Sequence, residues 1–219
     1  MIISHHPDDA TIMAYAAGAL TEGFSLVLAA HFESCPHCQQ RLQDAQDMGG
    51  EMLMQLQPSE TPTGGLDDIW SRIESNPVIE EPIKPVMPKS NGSLPAVLQP
   101  FFESGLDSVP WNKVAPGISR YRLDTVDSEN GTVQLLSIAH GIKIPEHTHK
   151  GSELTLVLKG SYQDEIGRYQ EGDLADLDSS VKHQPMVDSS EPCICLIATD
   201  QPLYFSSLAS RILQPFIGI

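Results

Sequence analysis

The apolar residues of this chain change their period partway along, and a proline-rich stretch separates the two regimes. Up to Ser75 they recur every three or four positions, as one covered face of a helix requires. From Ser119 onward they alternate, as a half-covered strand requires. Between the two, Pro77, Pro82, Pro85, Pro88 and Pro95, with Ser90-Asn91-Gly92-Ser93, oppose any continuous helix. A chain of 219 residues is long enough for two modest cores. The expected fold is therefore α+β with two domains: a small helical bundle over residues 1–75, a linker over 76–95 and a β domain over 96–219.

Within the first part the spacing predicts a helix over residues 8–20, capped by Asp8 or Asp9, with Ile12, Tyr15, Ala16 and Ala19 on one stripe. Thr21 can cap a second helix that runs to about Phe32. A third begins near Pro36, a residue suited to a first helical turn, and carries Leu42, Ala45, Met48 or Gly49, Met52 and Leu56 along an expected core face. A shorter amphipathic helix is expected around Leu66, Ile69, Trp70 and Ile73, after the Gly64-Gly65 break. In the second part, residues 119–123, 133–138, 154–158 and 193–197 read as strands. Glu129-Asn130-Gly131 and Ile166-Gly167-Arg168 read as hairpin turns. Short strands so closely spaced imply a sandwich or a closed barrel. Leu208 to Leu213 suggests a final helical turn or two.

Charge narrows the partners. Eleven acidic residues against Arg41 and Arg72 give residues 1–75 a formal −9, leaving −7 of the total −16 for the rest. Direct nucleic-acid binding needs a basic surface and is not expected. An acidic helical surface suits a basic protein. No run of eighteen apolar residues is present and Met1 to Pro7 has no signal-peptide pattern, so a cytoplasmic protein without a transmembrane helix is expected. Four cysteines, two of them in a C-x-x-C, do not make a disulfide scaffold.

Two sets of metal-ligand residues remain. His31-x-x-x-Cys35-x-x-Cys38 places His31 and Cys35 one helical turn apart, and Pro36 marks a break that brings Cys38 round at the start of the next helix. Zinc takes four nitrogen or sulfur ligands in a tetrahedron. His6 is the best fourth candidate, with His5 and His37 as competitors. Two thiolates and two imidazoles would form a closed structural Zn²⁺ site; oxidation of the thiolates to a disulfide would eject the metal.

With an upstream histidine, that spacing resembles the signature of zinc-binding anti-sigma factors. Tyr15-Ala-Ala-Gly-Ala-Leu followed by Phe24-Ser-Leu-Val and His31 is similar to the ChrR type. The resemblance implies His6, His31, Cys35 and Cys38 as zinc ligands. It implies a helical domain that wraps a bacterial ECF sigma factor and keeps it from core RNA polymerase.

The second set is Gly141-x₅-His147-x-His149-x₃-Glu153-x₆-Gly160, which matches the first cupin motif. Histidines two apart on a strand face the same side, and Glu153 returns from the next strand or turn. His183, thirty residues further on, would complete a three-imidazole, one-carboxylate site for Zn²⁺ or another divalent metal. The second cupin motif departs from the family: Gly172 is present, but Gln170 stands where proline is usual and His183 lies beyond the usual position. The ChrR-like branch resembles this longer arrangement.

The resemblance implies a cupin β-barrel of jelly-roll type. It also implies a signal received there, a small molecule or a reactive oxygen species such as singlet oxygen or an organic hydroperoxide. A rival reading is a cupin metalloenzyme, for example a dioxygenase, with a regulatory helical attachment. Cys193 and Cys195 share one strand face and read as small buried hydrophobes. His140 reads as a surface or strand-end histidine.

Overall fold

The computed structural model describes residues 2–59, 64–75, 94–102, 105–124, 131–201 and 203–205. Most of the expected linker, Glu129-Asn130 of one expected turn and the expected tail helix from Leu208 to Leu213 lie outside the described residues. Among the described residues four α-helices come first: α1 (Asp9–Ala16), α2 (Glu22–Ser34), α3 (Pro36–Met54) and α4 (Gly65–Ser75). The Asp8 carboxylate caps α1 by accepting the Thr11 N–H at 2.6 Å. This helix stops at Ala16, short of the expected Leu20, because Gly18 turns the chain through a left-handed conformation with φ 65°. Pro36 opens α3, as expected. No helix among the described residues is long and apolar enough to cross a membrane.

Twelve strands follow among the described residues: β1 (Asn112–Ala115), β2 (Ile118–Leu123), β3 (Thr132–Ile138), β4 (His147–His149), β5 (Glu153–Lys159), β6 (Ser161–Gln163), β7 (Arg168–Gln170), β8 (Leu174–Leu177), β9 (Lys182–His183), β10 (Met186–Val187), β11 (Cys193–Thr199) and β12 (Leu203–Phe205). An antiparallel sheet runs β1-β2-β3-β11-β5-β8, accompanied by two smaller sheets, β10-β6-β7 and β12-β4-β9. The result is a cupin-like sandwich, one of the two expected forms, with the sheets not closed into a barrel. The outer strands of the large sheet, β1 and β8, do not pair with each other.

Successive side chains on β3, β5 and β11 point to opposite faces, and both faces are covered. One face carries Leu135, Leu154, Leu156 and Leu196, and packs against Phe24, Val27 and Leu28 of α2. The other carries Leu136, Val157 and Cys195, and packs inside the sandwich with Tyr162, Ala175 and Val187. The helices and the sheet were expected to bury separate cores, yet here they share one. The reason lies in α2, whose apolar residues surround most of its circumference, so that it serves the bundle on one side and the sheet on the other. At Gly23 the helix comes so close that an added Cβ would collide with the Val133 side chain.

The expected core face of α3 is only half realised. Ala45 is buried, but Met48, Met52 and Leu56 are 51%, 66% and 68% exposed. At about 1.5 Å per residue, α1 reaches along less than half of α3, so the outer part of that face has no neighbour to cover it. Leu66, Ile69, Trp70 and Ile73 of α4 are likewise more than half exposed.

Candidate metal centres

The helical constellation converges. One ligand atom each from His6, His31, Cys35 and Cys38 lies within 4.8 Å of the other three. The four come from separate pieces of local structure: the extended segment before α1, the last turn of α2, the bend between α2 and α3, and the first turn of α3. His6 Nδ1 stands 3.4 Å from Cys35 Sγ and 3.3 Å from Cys38 Sγ. Tetrahedral Zn–S and Zn–N bonds of 2.3 and 2.0–2.1 Å would separate such atoms by about 3.5 Å.

The chemistry of His31 points the same way. Its Nδ1 donates to the Gly172 carbonyl at 3.0 Å, so the proton is on Nδ1 and Nε2 carries the lone pair. That Nε2 is buried with no hydrogen-bond partner among the described residues. An orphaned buried acceptor is costly unless something electrophilic meets it. Burial also pulls the imidazole down to about 4, which keeps it neutral. Burial first, and then the adjacent Cys35 thiol, push Cys38 up to about 12. A bound divalent cation reverses that balance and holds both sulfurs as thiolates. The residues present fit Zn²⁺. The competitors are not in the cluster: His5 packs its ring on Tyr169 at 4.2 Å, and His37 is exposed, with its ring 4.9 Å from that of His6.

The β constellation is built on β4 and β9, whose antiparallel register sets His147 directly opposite His183. Both are buried, and their Nε2 atoms face each other at 3.1 Å. Each ring is fixed from behind. His147 Nδ1 donates to the Pro145 carbonyl at 2.9 Å, and His183 Nδ1 to the Asp164 carboxylate at 2.8 Å. Burial raises the Asp164 pKa, but the His183 hydrogen bond and the Gly167 and Ile166 N–H groups outweigh it and hold the carboxyl below its usual range. With both Nδ1 atoms engaged from behind, the two Nε2 atoms converge on one point of the cavity, as two imidazole ligands of one cation would. Cis ligands at 2.0–2.1 Å would be about 3 Å apart, close to the separation seen.

Glu153, buried and held by the Thr155 hydroxyl at 2.9 Å, lines the same cavity of about 60 Å³. His149 belongs to β4, where its backbone pairs with Leu203; its side chain lies outside what is described. Cys193 and Cys195 are free, buried and 3.6 Å apart at sulfur, and they line the cavity too. His140 is exposed and its Nδ1 donates to the Ser189 carbonyl.

A family model described as the ChrR cupin-like domain matches residues 104–202. The anti-sigma-E factor ChrR of Cereibacter sphaeroides is 35% identical over 219 residues, all of both chains. This chain belongs to the ChrR family. A chain of the crystal structure of Rhodobacter sphaeroides SigE in complex with the anti-sigma ChrR is also similar, with a TM-score of 0.73 and 33% identity. That match covers 91% of this chain and 100% of the other.

In this ChrR-family chain the two clusters lean on residues outside the candidate ligand sets. Arg41 donates to the Pro7 carbonyl at 2.9 Å and to Asp9 at 2.6 Å, which ties down the segment that follows His6. Its guanidinium also lies 3.9 Å from Cys38 Sγ, where a thiolate gains from a positive neighbour. Asp164, Gly172 and Asp173 likewise serve through hydrogen bonds. Arg41, one of two arginines in the otherwise acidic residues 1–75, was the one legible hint among them.

Proposed function

We propose that this chain is a cytoplasmic anti-sigma factor. In this reading residues 1–75 hold an ECF-type sigma factor away from core RNA polymerase, 76–95 form the linker, and the cupin domain of 96–219 receives the signal for release. The observation that carries the reading is the full-length relationship to an anti-sigma-E factor, helices and cupin together in the same order. The apolar surface left open on α3 and α4, set within an acidic helical region, suits a basic protein partner.

His6, His31, Cys35 and Cys38 hold structural zinc, which fixes the relative placement of α1, α2 and α3. His147, His149, Glu153 and His183 hold a second divalent ion, zinc or another, and the signal acts there, singlet oxygen or an organic hydroperoxide. A bound ion supplies charge and a fixed coordination geometry. The chain's residues do the rest: Asp164 and Pro145 set the imidazole orientations, and the apolar wall of Leu136, Ile144 and Val187 limits water. A cavity of about 60 Å³ is far below the roughly 300–1,000 Å³ of sites that enclose an organic substrate. It suits a metal with a very small ligand, which disfavours the dioxygenase alternative.

The test combines the full chain with the ECF sigma factors of its own host. One of them is expected to co-elute with it and to lose sigma-dependent transcription in vitro. A folded, zinc-loaded chain that leaves transcription by every one of them untouched would refute the assignment. Within the cupin site, Asp164→Asn is expected to weaken divalent-metal binding about 10–100-fold, the usual effect of losing a ligand's outer hydrogen bond. Competition against a chromophoric chelator measures it, and unchanged affinity would show that Asp164 does not orient His183.

A further inference from the structure

We propose that the β-sandwich supplies the outer hydrogen bonds of the helical metal site, so that docking of the helices on the sheet and metal affinity at His6, His31, Cys35 and Cys38 are one coupled equilibrium. This rests on the reading that those four residues hold zinc. Two of the four ligands are oriented by atoms of a single turn, Glu171–Asp173, between β7 and β8. The Gly172 carbonyl accepts from His31 Nδ1 at 3.0 Å and so dictates which ring nitrogen faces the metal.

Asp173, fully buried, accepts from the backbone N–H groups of Ser4 at 2.7 Å and His5 at 3.0 Å. The Leu174 N–H in turn donates to the His5 carbonyl at 3.1 Å. These bonds lash residues 4 and 5 to the start of β8, and His6 is the next residue. Separated from the sandwich, the His6 segment and the His31 ring would each regain freedom that metal binding must then remove.

The same reach continues to the other centre. Asp164, which holds His183, also accepts from the Gly167 N–H, and Gly167 packs against the His5 ring. Tyr162 lines the cupin cavity and stacks on Tyr169, which lies against His5. One hairpin, β6–β7, thus reaches from the cupin cavity to His5, the residue next to the ligand His6. Linkage makes the effect reciprocal: if docking tightens zinc binding by some factor, zinc tightens docking by the same factor. A disturbance of the sandwich would in this way loosen the helical site without any chemistry at its thiolates.

Gly23 offers a test remote from every ligand. A leucine there favours the helix but collides with Val133, and so opposes docking alone. In the full chain, Co²⁺ titration followed by the thiolate-to-cobalt absorption band reports the helical site, because the four predicted cupin ligands include no thiolate. Gly23→Leu is expected to weaken Co²⁺ binding at this site at least about tenfold. Asp173→Asn, which preserves volume, is expected to do the same. Val133→Ala is expected to recover affinity in a Gly23→Ala background.

Folded Gly23→Leu and Asp173→Asn chains whose affinity stays within twofold of the unaltered protein would overturn the coupling. Should Gly23→Leu fail to fold, Asp173→Asn and the Gly23→Ala, Val133→Ala pair decide the matter. An unaltered chain that shows no thiolate band would overturn the zinc reading itself, a distinct failure.

Discussion

Replacing Cys35 and Cys38 together by serine is expected to abolish sigma-factor binding, with a loss of affinity beyond a hundredfold. The four ligands are the means by which α2, α3, the bend between them and the segment leading into α1 meet at one point. Apparent binding free energies of structural zinc are about 10–16 kcal/mol, comparable to the whole stability of a domain at about 5–15 kcal/mol. Metal binding of that size is inseparable from folding of the bundle. Serine keeps the volume but supplies no thiolate, and the buried Nε2 of His31 is left without a partner. The interior of the sandwich, with Leu136, Val157, Tyr162 and Val187, does not include the site and is expected to remain folded. Circular dichroism should therefore show lost helix with the β signal kept, and a transcription assay should show a fully active sigma factor. Metal removal by a strong chelator should mimic the variant. A double-serine chain that still inhibits as well as the unaltered one would remove zinc from the account of how the grip is shaped.

Local chemistry explains why much of the helical half was legible beforehand. Asp8, Pro36 and the Gly64-Gly65 break act within one turn of their own position, and the elements begin where they stand. His31, Cys35 and Cys38 lie within eight residues, so a single bend suffices to bring them together. His183 was harder. Its place opposite His147 depends on how β6, β7 and β8 are threaded between, and only the register makes the pair. The stripe on α3 misled for a related reason. Period shows which residues share a face, and says nothing of how far along that face a neighbour extends. Met52 belongs to the stripe and lies past the reach of α1. Gly172 and Asp173 could not have been selected from sequence as helpers of a helical zinc site. One acts through its backbone carbonyl, the other is one of 29 acidic residues, and both lie far along the chain from His31.

Ile69→Asp and Trp70→Ala on α4 are expected to weaken sigma-factor binding by at least about 30-fold each, without loss of zinc or of thermal stability. Leu66, Ile69, Trp70 and Ile73 fall at i, i+3, i+4 and i+7, a single apolar stripe, with Asp67, Asp68, Ser71 and Glu74 around it. All four apolar residues are 53–67% exposed, and none of the eleven residues of this helix is buried. A helix this short is marginal in water on its own, and an amphipathic one gains most of its stability when its apolar face is covered. Laying such a stripe into a groove is a recurrent way for a helix to bind a protein, and buried tryptophans at such contacts are worth about 2 kcal/mol or more. That energy sets the 30-fold figure, since about 1.4 kcal/mol is a factor of ten. Because the side chains contribute little to the free protein's core, truncating them should leave its unfolding midpoint in place, which separates a binding defect from a folding one. Asp67 and Asp68 add a second signature. Facing a basic partner they speed encounter at low ionic strength, so the association rate should fall as salt is raised and fall less steeply in an Asp67→Asn, Asp68→Asn chain. Isothermal titration gives the affinities and stopped-flow fluorescence the rates; wild-type affinity in both α4 variants would place the sigma contact elsewhere, with the exposed Met48 and Met52 face of α3 the next to test.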